Sequence, residues 1–329
     1  MKINEIGSYI RKLNTDTVII NKKARYIHIF RALLFSLFKF VILLGICYII
    51  IGPLISIIAG SFFSSTDINN PTVKLFPIEP TLDNYKLTFV RLKYWKTLGY
   101  TMGFVTIITM LQVLITSMAG YGFARFSFPF KKLLFACVIV TIVLPTHSIM
   151  LPLYQHFRNW DFFGIVSAIR GEKLNLLSTE IPMLLLTLFG CGLRSGLFIY
   201  IFRQFFRGLP KEIEEAAFID GAGMWYTYLR IMLVNAVPSI ITVTVFSMVW
   251  QYNDMFYGNL FSLPAGHSIT LQLSTVQSTI GMTDQIKDPQ VIQICMYAGV
   301  ILVIIPIIAV YLILQKYFIE GVERSGIVG

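Results

Sequence analysis

Long stretches without charge constrain this chain more than any other feature. Residues 40–66 contain no Asp, Glu, Lys or Arg over 27 positions, and residues 97–124 and 231–253 are also uncharged. A helix needs about 20 apolar residues to cross the hydrocarbon core of a bilayer. Each of these stretches is long enough. Because lipid offers no hydrogen-bond partners, only helices and closed barrels satisfy every backbone group there. The sequence therefore predicts an all-α membrane protein.

The overall composition excludes a soluble domain. Of the 329 residues, 56% are hydrophobic and 13% are charged, and the mean hydropathy is +0.71, which is far more apolar than a soluble protein of this length. The net charge of +10 raises the question of a nucleic-acid partner. The basic residues are scattered between apolar runs and form no aromatic-interleaved patch. Membrane lipid and topology account for the charge, and no nucleic-acid partner is expected.

The apolar runs predict six transmembrane helices. Their expected ranges are 40–66, 97–124, 133–151, 186–206, 231–253 and 292–315. Pro145 and Pro152 are expected to kink the third span, and a broken helix lining a cavity is the alternative. The limits of the fourth span depend on Arg194, which lies among three glycines.

The distribution of Lys and Arg predicts cytoplasmic termini. With six spans, the inner segments contain 16 of these residues and the outer segments contain nine. An excess of basic residues marks the cytoplasmic side. We therefore expect a cytoplasmic N-terminal segment at 1–31, a six-span domain at 32–318 and a cytoplasmic tail at 319–329. A cytoplasmic coupling loop is expected at about 207–230, between spans four and five.

Charge, helix signals and glycine turns come together in residues 207–234. Glu212, Glu214 and Glu215 lie near the N-terminus of a predicted helix, where the helix dipole stabilises negative charge. Gly221 is the expected stop, because glycine readily adopts the left-handed conformation that ends helices.

This predicted helix is suited to docking. Ala216 and Ala217 give it a face with almost no side chain, so that another chain can approach closely. A short helix of this kind can enter a groove in a partner protein. The alternative is an amphipathic helix lying on the membrane surface. Such helices favour Lys and Arg on the polar face, so the acidic start favours docking.

Several residues of this region follow the pattern of a known family. They are, in order, Glu215, Ala216, Ala217, Gly221, Ile231, Met232 and Leu233. Their order resembles the EAA loop of permease subunits in bacterial binding-protein-dependent ABC importers, although Val234 stands where that family has proline. Pro238 could replace part of that proline's role. Residues 218–222 are similar to the form found in carbohydrate importers, and residues 315–321 resemble the tail of the maltose-transporter type.

The resemblance implies a multi-subunit machine. Its other parts would be a second permease subunit forming a hetero-pair, two ATP-binding subunits and an extracellular solute-binding protein. Pairing of the permease with itself stays open. ATP and Mg would be bound by the partner ATPase subunits, and this chain would hold no cofactor. The positions matching the family's ATPase-docking contacts are Glu214, Glu215, Ala216, Ala217, Asp220, Gly221 and Ala222.

The sequence contains no phosphate-binding or hydrolase motif. There is no G-x-x-x-x-G-K-[ST] and no G-x-S-x-G, so neither a P-loop nor a nucleophile elbow is present. The four histidines show no i, i+4 pairing and predict no metal site. We therefore expect a permease subunit without its own ATPase site, which is not an enzyme.

A few polar residues in the apolar runs are candidates for the substrate path. They are Arg194, Trp250, Asn253 and Asp254. Arg194 could face a polar path, or it could lie at the outer boundary if span four starts later. Aromatic, amide and carboxylate groups at 250–254 suit a sugar, but Trp and Tyr at a span end are commonly an interfacial belt. The resemblance further implies that residues 257–288 contact the binding protein.

Together these features predict a sugar or oligosaccharide importer subunit in the bacterial cytoplasmic membrane. As the resemblance implies, ATP hydrolysis on the partners would drive alternating access through this chain. One alternative is an ion-coupled secondary transporter, which usually needs intramembrane acids. A second is a membrane-embedded transferase. A third is an ABC importer for another solute, such as a polyamine or a glycerol phosphate.

Overall fold

The structure is a computed structural model that describes the backbone of residues 3–326 and the side chains of residues 29–316. Within that range it is helical, and its only β-bridge joins Trp160 to Leu174. The thirteen helices used below are α1 (Ile3–Gly60), α2 (Asp83–Arg91), α3 (Tyr94–Arg125), α4 (Lys131–Val143), α5 (Met150–Arg158), α6 (Ile181–Leu188), α7 (Ser195–Gly208), α8 (Glu212–Ile219), α9 (Met224–Asn235), α10 (Val237–Tyr252), α11 (Phe256–Leu260), α12 (Ile269–Thr283) and α13 (Pro289–Gly326). The all-α prediction is confirmed.

Three helices are long and apolar enough to cross a membrane alone. They are Ile29–Gly60 of α1, Tyr94–Arg125 of α3 and Pro289–Lys316 of α13. They match the first, second and sixth predicted spans. The Ile29–Gly60 stretch of α1 leaves nearly all of its apolar side chains exposed, as expected for a surface that meets lipid or another membrane subunit.

The third predicted span is broken, so the expected simple kink was wrong. α4 ends at Val143, and the helical stretch Thr146–Arg158 runs at 105° to it. Pro145 supplies no backbone N–H, and the residue before a proline is pushed out of the helical region. Leu144 has an extended backbone with ψ of 126°. The broken-helix alternative therefore describes this region.

The fourth predicted span, 186–206, is not continuous. α6 ends at Leu188 and α7 begins at Ser195. Between them Gly190 (φ 71°) and Arg194 (φ 59°) adopt left-handed conformations, which cannot continue a right-handed helix. The 14 residues of α7 rise roughly 21 Å, less than a hydrocarbon core of about 30 Å.

The fifth predicted span begins later than residue 231. Residues 231–235 belong to α9, and α10 starts at Val237 after a bend of 76°. Pro238 lies in the first turn of α10, where a missing N–H costs nothing. The family has a proline at the position of Val234, where it turns the chain into the next span. In this chain Pro238 lies at that turn.

α3 lies at the centre of the described structure and packs against α7 and α10. A buried polar network joins the three helices. The Gln112 amide nitrogen donates to the Leu193 carbonyl at 2.6 Å and to the Ser195 hydroxyl at 3.1 Å. Its amide oxygen accepts from Ser247 at 2.6 Å and from Gln251 at 3.3 Å. A polar side chain buried to this degree needs such partners, so this network fixes the mutual register of the helices.

A glycine sets the distance between α3 and α7. A Cβ added at Gly120 would lie 2.5 Å from the Phe202 Cβ and 3.2 Å from the Ile199 carbonyl oxygen. A real Cβ cannot be this close to another carbon, so only glycine permits the observed approach. Two residues on, the nearest side-chain atom to an added Cβ at Gly122 belongs to Phe126 at 3.9 Å, an ordinary contact.

We expect Gly120→Ala to destabilise the protein and Gly122→Ala to leave it intact. The first change overpacks the α3–α7 contact, which typically costs about 1–3 kcal/mol, whereas the second adds a methyl group that makes only an ordinary contact in the same helix. Thermal unfolding of the two purified variants in detergent compares them. Equal midpoints would contradict the close approach at Gly120.

Candidate functional site

The segment between α7 and α10 contains the predicted docking helix. α8 covers Glu212–Ile219 and starts with three acidic residues. Gly221 has φ of +83°, so the predicted left-handed helix stop is confirmed. The Ala222 N–H donates to the Ala217 carbonyl at 2.9 Å and closes the turn. The chain then enters α9, whose residues Thr227–Met232 form a π-helical turn.

The seven predicted docking residues fall into three groups by exposure. Glu215, Ala216, Asp220 and Gly221 are exposed, Ala222 is half-buried, and Glu214 and Ala217 are buried. The exposed group shares its surface with apolar side chains that the sequence analysis did not select. These are Phe218, Ile219, Met224, Trp225 and Tyr226, with exposed fractions from 47% to 85%. Exposed apolar patches of this kind mark interaction surfaces.

Glu214 faces the interior of the chain. Its Oε1 accepts a hydrogen bond from the Tyr121 hydroxyl at 2.6 Å. Its Oε2 lies 2.8 Å from the Arg125 Nε, an ion pair whose N–H is not aligned as a hydrogen bond. Arg125 also donates through Nη2 to the Leu209 carbonyl at 2.8 Å. Glu214 therefore joins α8 to the end of α3.

A cleft separates the end of α3 from the start of α9. Its volume is about 130 Å³. Aromatic and methionine side chains line it: Met118, Tyr121, Phe126, Met224, Trp225 and Tyr228. Tyr228 is buried, and its hydroxyl is 2.9 Å from that of Ser117. The cleft opens beside the exposed apolar patch, so the docking surface is larger than α8 alone.

Two of the four predicted substrate-path residues are in contact with each other. The Arg194 guanidinium lies 5.6 Å from the centre of the Trp250 ring, within cation–π distance. Trp250 also stacks on Phe198 and Phe246, with ring centres 5.6 Å and 5.4 Å apart. α7 starts directly after Arg194, as in the alternative with a later start. The 14 residues of α7 span only roughly 21 Å, less than the bilayer's hydrocarbon core of about 30 Å. If Gly208 lies at one edge of that core, Arg194 therefore lies within the core and not at its opposite boundary.

Asn253 and Asp254 differ in their surroundings. Asn253 is exposed, and its amide donates back to the Val249 carbonyl at 2.8 Å. Asp254 lines a small cavity of about 20 Å³ together with Gln251. The Asp254 Oδ2 and the Gln251 Oε1 have no hydrogen-bond partner among the described residues. Burial raises the Asp254 pKa to about 6, although the backbone N–H groups of residues 256–258 lower it.

The same cavity is lined by two residues that the sequence analysis missed. Glu180 accepts a hydrogen bond from the Tyr100 hydroxyl at 2.6 Å, and His267 contacts the same carboxyl oxygen. Burial raises the Glu180 pKa, but the bonds from Tyr100 and His267 outweigh it, so the net pKa is lowered. The pairing joins residues 87 positions apart, and no local pattern announces it.

Residues 112–324 match the family described as the binding-protein-dependent transport system inner membrane component. That range is well over half of the chain. The chain belongs to this family. The match runs from the Gln112 network to near the end of α13, and it includes α8, α9 and the cleft. The protein is thus a multi-pass inner membrane component, as the resemblance implied.

Related inner membrane components share most of the chain. The arabinooligosaccharide permease AraQ of Halalkalibacterium halodurans is 28% identical over 86% of this chain and 93% of its own length. The trehalose permease SugB of Mycobacterium tuberculosis is 27% identical and covers 78% and 85% of the two chains. The diacetylchitobiose permease NgcG of Streptomyces coelicolor is 26% identical, covering 84% of each.

Solved structures confirm the fold. A chain of a bacterial ABC transporter that imports the acidic polysaccharide alginate aligns with a TM-score of 0.64 at 20% identity, covering 87% of this chain and 96% of that one. A chain from the alginate transporter in complex with an alginate pentasaccharide-bound periplasmic protein gives a TM-score of 0.54 at 14% identity, with 88% and 94% covered. At these identities the likeness shows that the inner membrane component shares the permease fold.

Asp254→Asn should remove a pH dependence of stability. Asp254 has a folded pKa of about 6 against an ordinary 3.8, so the folded state binds more protons and stability falls as pH rises from about 4 to 6. Thermal unfolding between pH 4 and 8 measures this. The variant should lack that fall and be more stable at pH 7, by at most roughly 3 kcal/mol. Asp83→Asn, at an exposed carboxylate, is the control and should keep the fall in stability with rising pH. If Asp254→Asn showed the same pH dependence of stability as the wild type, the raised pKa of Asp254 would be contradicted.

Gly221→Val should disrupt the end of α8, and Gly223→Val should not. Gly221 needs φ of +83°, which a β-branched residue resists, whereas Gly223 has an extended backbone with φ of −73° and free space around an added Cβ. Uptake by vesicles containing each variant, at matched amounts of protein, gives the comparison. Equal uptake would show that the left-handed turn is not required.

Proposed function

We propose that this inner membrane component is the permease subunit of an ATP-driven importer of a sugar or oligosaccharide. The observation that carries the proposal is the exposed surface formed by α8 and the start of α9. It combines the EAA residues, acidic side chains and a large apolar patch. It lies between helices that belong to the membrane domain. A partner bound to this surface can therefore transmit its own movement to the membrane helices on either side.

The proposed topology has six crossings and cytoplasmic termini. The three long helices would each supply one crossing. The two bent pairs, Lys131–Val143 with Thr146–Arg158 and Met224–Asn235 with Val237–Tyr252, would supply two more, with the start of α9 on the cytoplasmic side of the bilayer. α6 and α7 would together form the remaining one. In this arrangement segments 1–31 and 319–329 and the loop at about 207–230 are cytoplasmic. The Lys and Arg distribution supports this side.

The proposed partners divide the work. Two ATP-binding subunits would bind ATP and Mg, and each would receive one permease docking helix. A second permease subunit would complete a hetero-pair. An extracellular solute-binding protein would deliver the substrate, and residues 257–288 are the proposed contact. A related alginate transporter has been solved with its periplasmic protein, which supports the binding-protein partner.

The proposed mechanism is alternating access. ATP binding would close the ATPase pair and displace the docked α8. That displacement would turn the path between the two permease subunits outward to receive substrate. The exposed docking contacts would be Glu215, Ala216, Asp220 and Gly221 together with the apolar patch. Glu214 would face the membrane domain, where it contacts Tyr121 and Arg125 of α3.

The proposed substrate class rests on the relatives and on chemistry. The printed substrates of the relatives AraQ, SugB and NgcG are saccharides. Arg194 is exposed and offers charged hydrogen-bond donors of the kind that bind sugar hydroxyls. The carboxylate of Asp254 would reach a sugar only if its cavity of about 20 Å³ opened. The Trp250 ring already packs against Phe198 and Phe246. A sugar would therefore meet its edge or displace a neighbouring ring.

An ion-coupled secondary transporter is the competing function. Such proteins usually bind protons or sodium at acidic residues within the membrane, and residues 97–124 and 231–253 contain none. Uptake in vesicles separates the two. The importer continues with the ion gradient collapsed and stops without ATP, and the secondary transporter does the reverse.

Glu215→Lys should abolish uptake while the protein still reaches the membrane. Glu215 is exposed on the docking surface, and reversing its charge removes an attraction and adds a repulsion, which can cost several kcal/mol at an interface. Co-purification of the ATP-binding subunits and uptake into vesicles are the measurements. Glu172→Lys, at an exposed glutamate outside the docking segment, is the control and should retain uptake. Normal uptake by Glu215→Lys would overturn the docking assignment.

A further inference from the structure

One face of α3 carries three polar residues that all contact the docking segment. Ser117, Tyr121 and Arg125 are spaced four residues apart, so they lie on the same side of the helix. The Ser117 hydroxyl forms a hydrogen bond with that of Tyr228 in α9. Tyr121 donates a hydrogen bond to Glu214 of α8, and Arg125 forms an ion pair with it. The end of α3 is thus held to both helices of the segment.

The Glu214 link is buried and leaves little freedom. The side chains of Arg125 and Glu214 are 7% and 9% exposed. A buried carboxylate is tolerated only with charge compensation and hydrogen bonds, and Arg125 and Tyr121 supply one of each. Arg125 also holds the Leu209 carbonyl, directly before α8. Moving α8 away from α3 would leave two buried charges unpaired, so the two helices should move together.

The far side of this link reaches the centre of the membrane domain. Gln112 lies on α3 between one and two turns before Ser117, and its amide bonds to residues of α7 and α10. Gly120, which lies between Ser117 and Arg125, brings α3 into close contact with α7. A displacement applied at Arg125 would therefore be shared by the three helices that surround the polar network.

We propose that Glu214 is a positioning residue that transmits the movement of α8 to α3 through Tyr121 and Arg125. It does not contact the ATPase, unlike its exposed neighbour Glu215. Adjacent glutamates thus have separate tasks: one faces the partner and the other faces the membrane domain. This inference rests on the proposed importer function and assigns a route for the coupling within this chain.

The test uses the complete transporter with its partner permease, ATP-binding subunits and binding protein in liposomes. Uptake and ATP hydrolysis are measured on the same vesicles. Glu214→Gln and Arg125→Gln each remove one charge of the buried pair. We expect uptake per ATP hydrolysed to fall at least fivefold in both, while the ATP-binding subunits stay associated. Glu172→Gln, at an exposed glutamate outside the docking segment, should match the wild type.

Two further variants separate transmission from simple loss of folding. The charge exchange Glu214→Arg with Arg125→Glu restores opposite charges at the two positions and should raise uptake per ATP at least twofold above either single variant. Tyr121→Phe keeps the ring and removes one hydrogen bond, so it should fold and give an intermediate loss. These outcomes support the link even when a single-charge variant is poorly expressed.

Three results would overturn the inference. The first is wild-type coupling in Glu214→Gln and Tyr121→Phe. The second is release of the ATP-binding subunits by Glu214→Gln to the same degree as by Glu215→Lys, which would make Glu214 a docking contact. The third is a charge-exchange variant whose uptake per ATP is no higher than that of the single variants, when at least one single variant is folded. Failure of the importer function is distinguishable, because then the wild-type complex itself would show no ATP-dependent uptake.

Discussion

The need to satisfy backbone polar groups inside lipid governs this structure. The helices are interrupted at Leu144, between Leu188 and Ser195, and at Ala236, and each interruption frees carbonyl groups that need donors. At the second one the structure shows the remedy. The Gln112 side chain, fully buried in α3, donates to the Leu193 carbonyl at 2.6 Å. A polar residue in an apolar run thus makes a non-helical backbone possible next to the membrane core.

The same helix α3 connects the buried polar network to the docking segment. Its middle carries the Gln112 network that joins α7 and α10, and its last two turns hold α8 through Tyr121 and Arg125. Because α8 ends at a left-handed glycine and α9 contains a π-helical turn, the segment beyond α8 has a different direction and a different pitch. π-helical turns often occur at functional sites. The geometry favours a rigid unit made of α3 and α8 that moves as one body.

Prediction from the sequence worked where the physics is local. Long uncharged runs gave three spans directly, and Gly221 was placed in its left-handed conformation because few other residues adopt it. It failed where the outcome depends on distant contacts. Nothing near Pro145 tells whether neighbouring helices tolerate a break of 105° or only a kink. The limits of the fourth span were wrong because Arg194 and Gly190 could each end a helix, and hydropathy cannot choose between them.

The sequence by itself determined that the chain is a membrane protein and that a short acidic helix separates two apolar regions. It also determined which residues of that helix resemble a docking loop. These conclusions depend on composition, spacing and backbone preference. Only the tertiary structure decided which glutamate faces inward. Glu214 and Glu215 are adjacent and chemically identical, and their roles differ because helical geometry turns one toward Tyr121 and Arg125, residues about ninety positions earlier in the chain. Burial and pairing across such separations arise from packing, which no local pattern encodes.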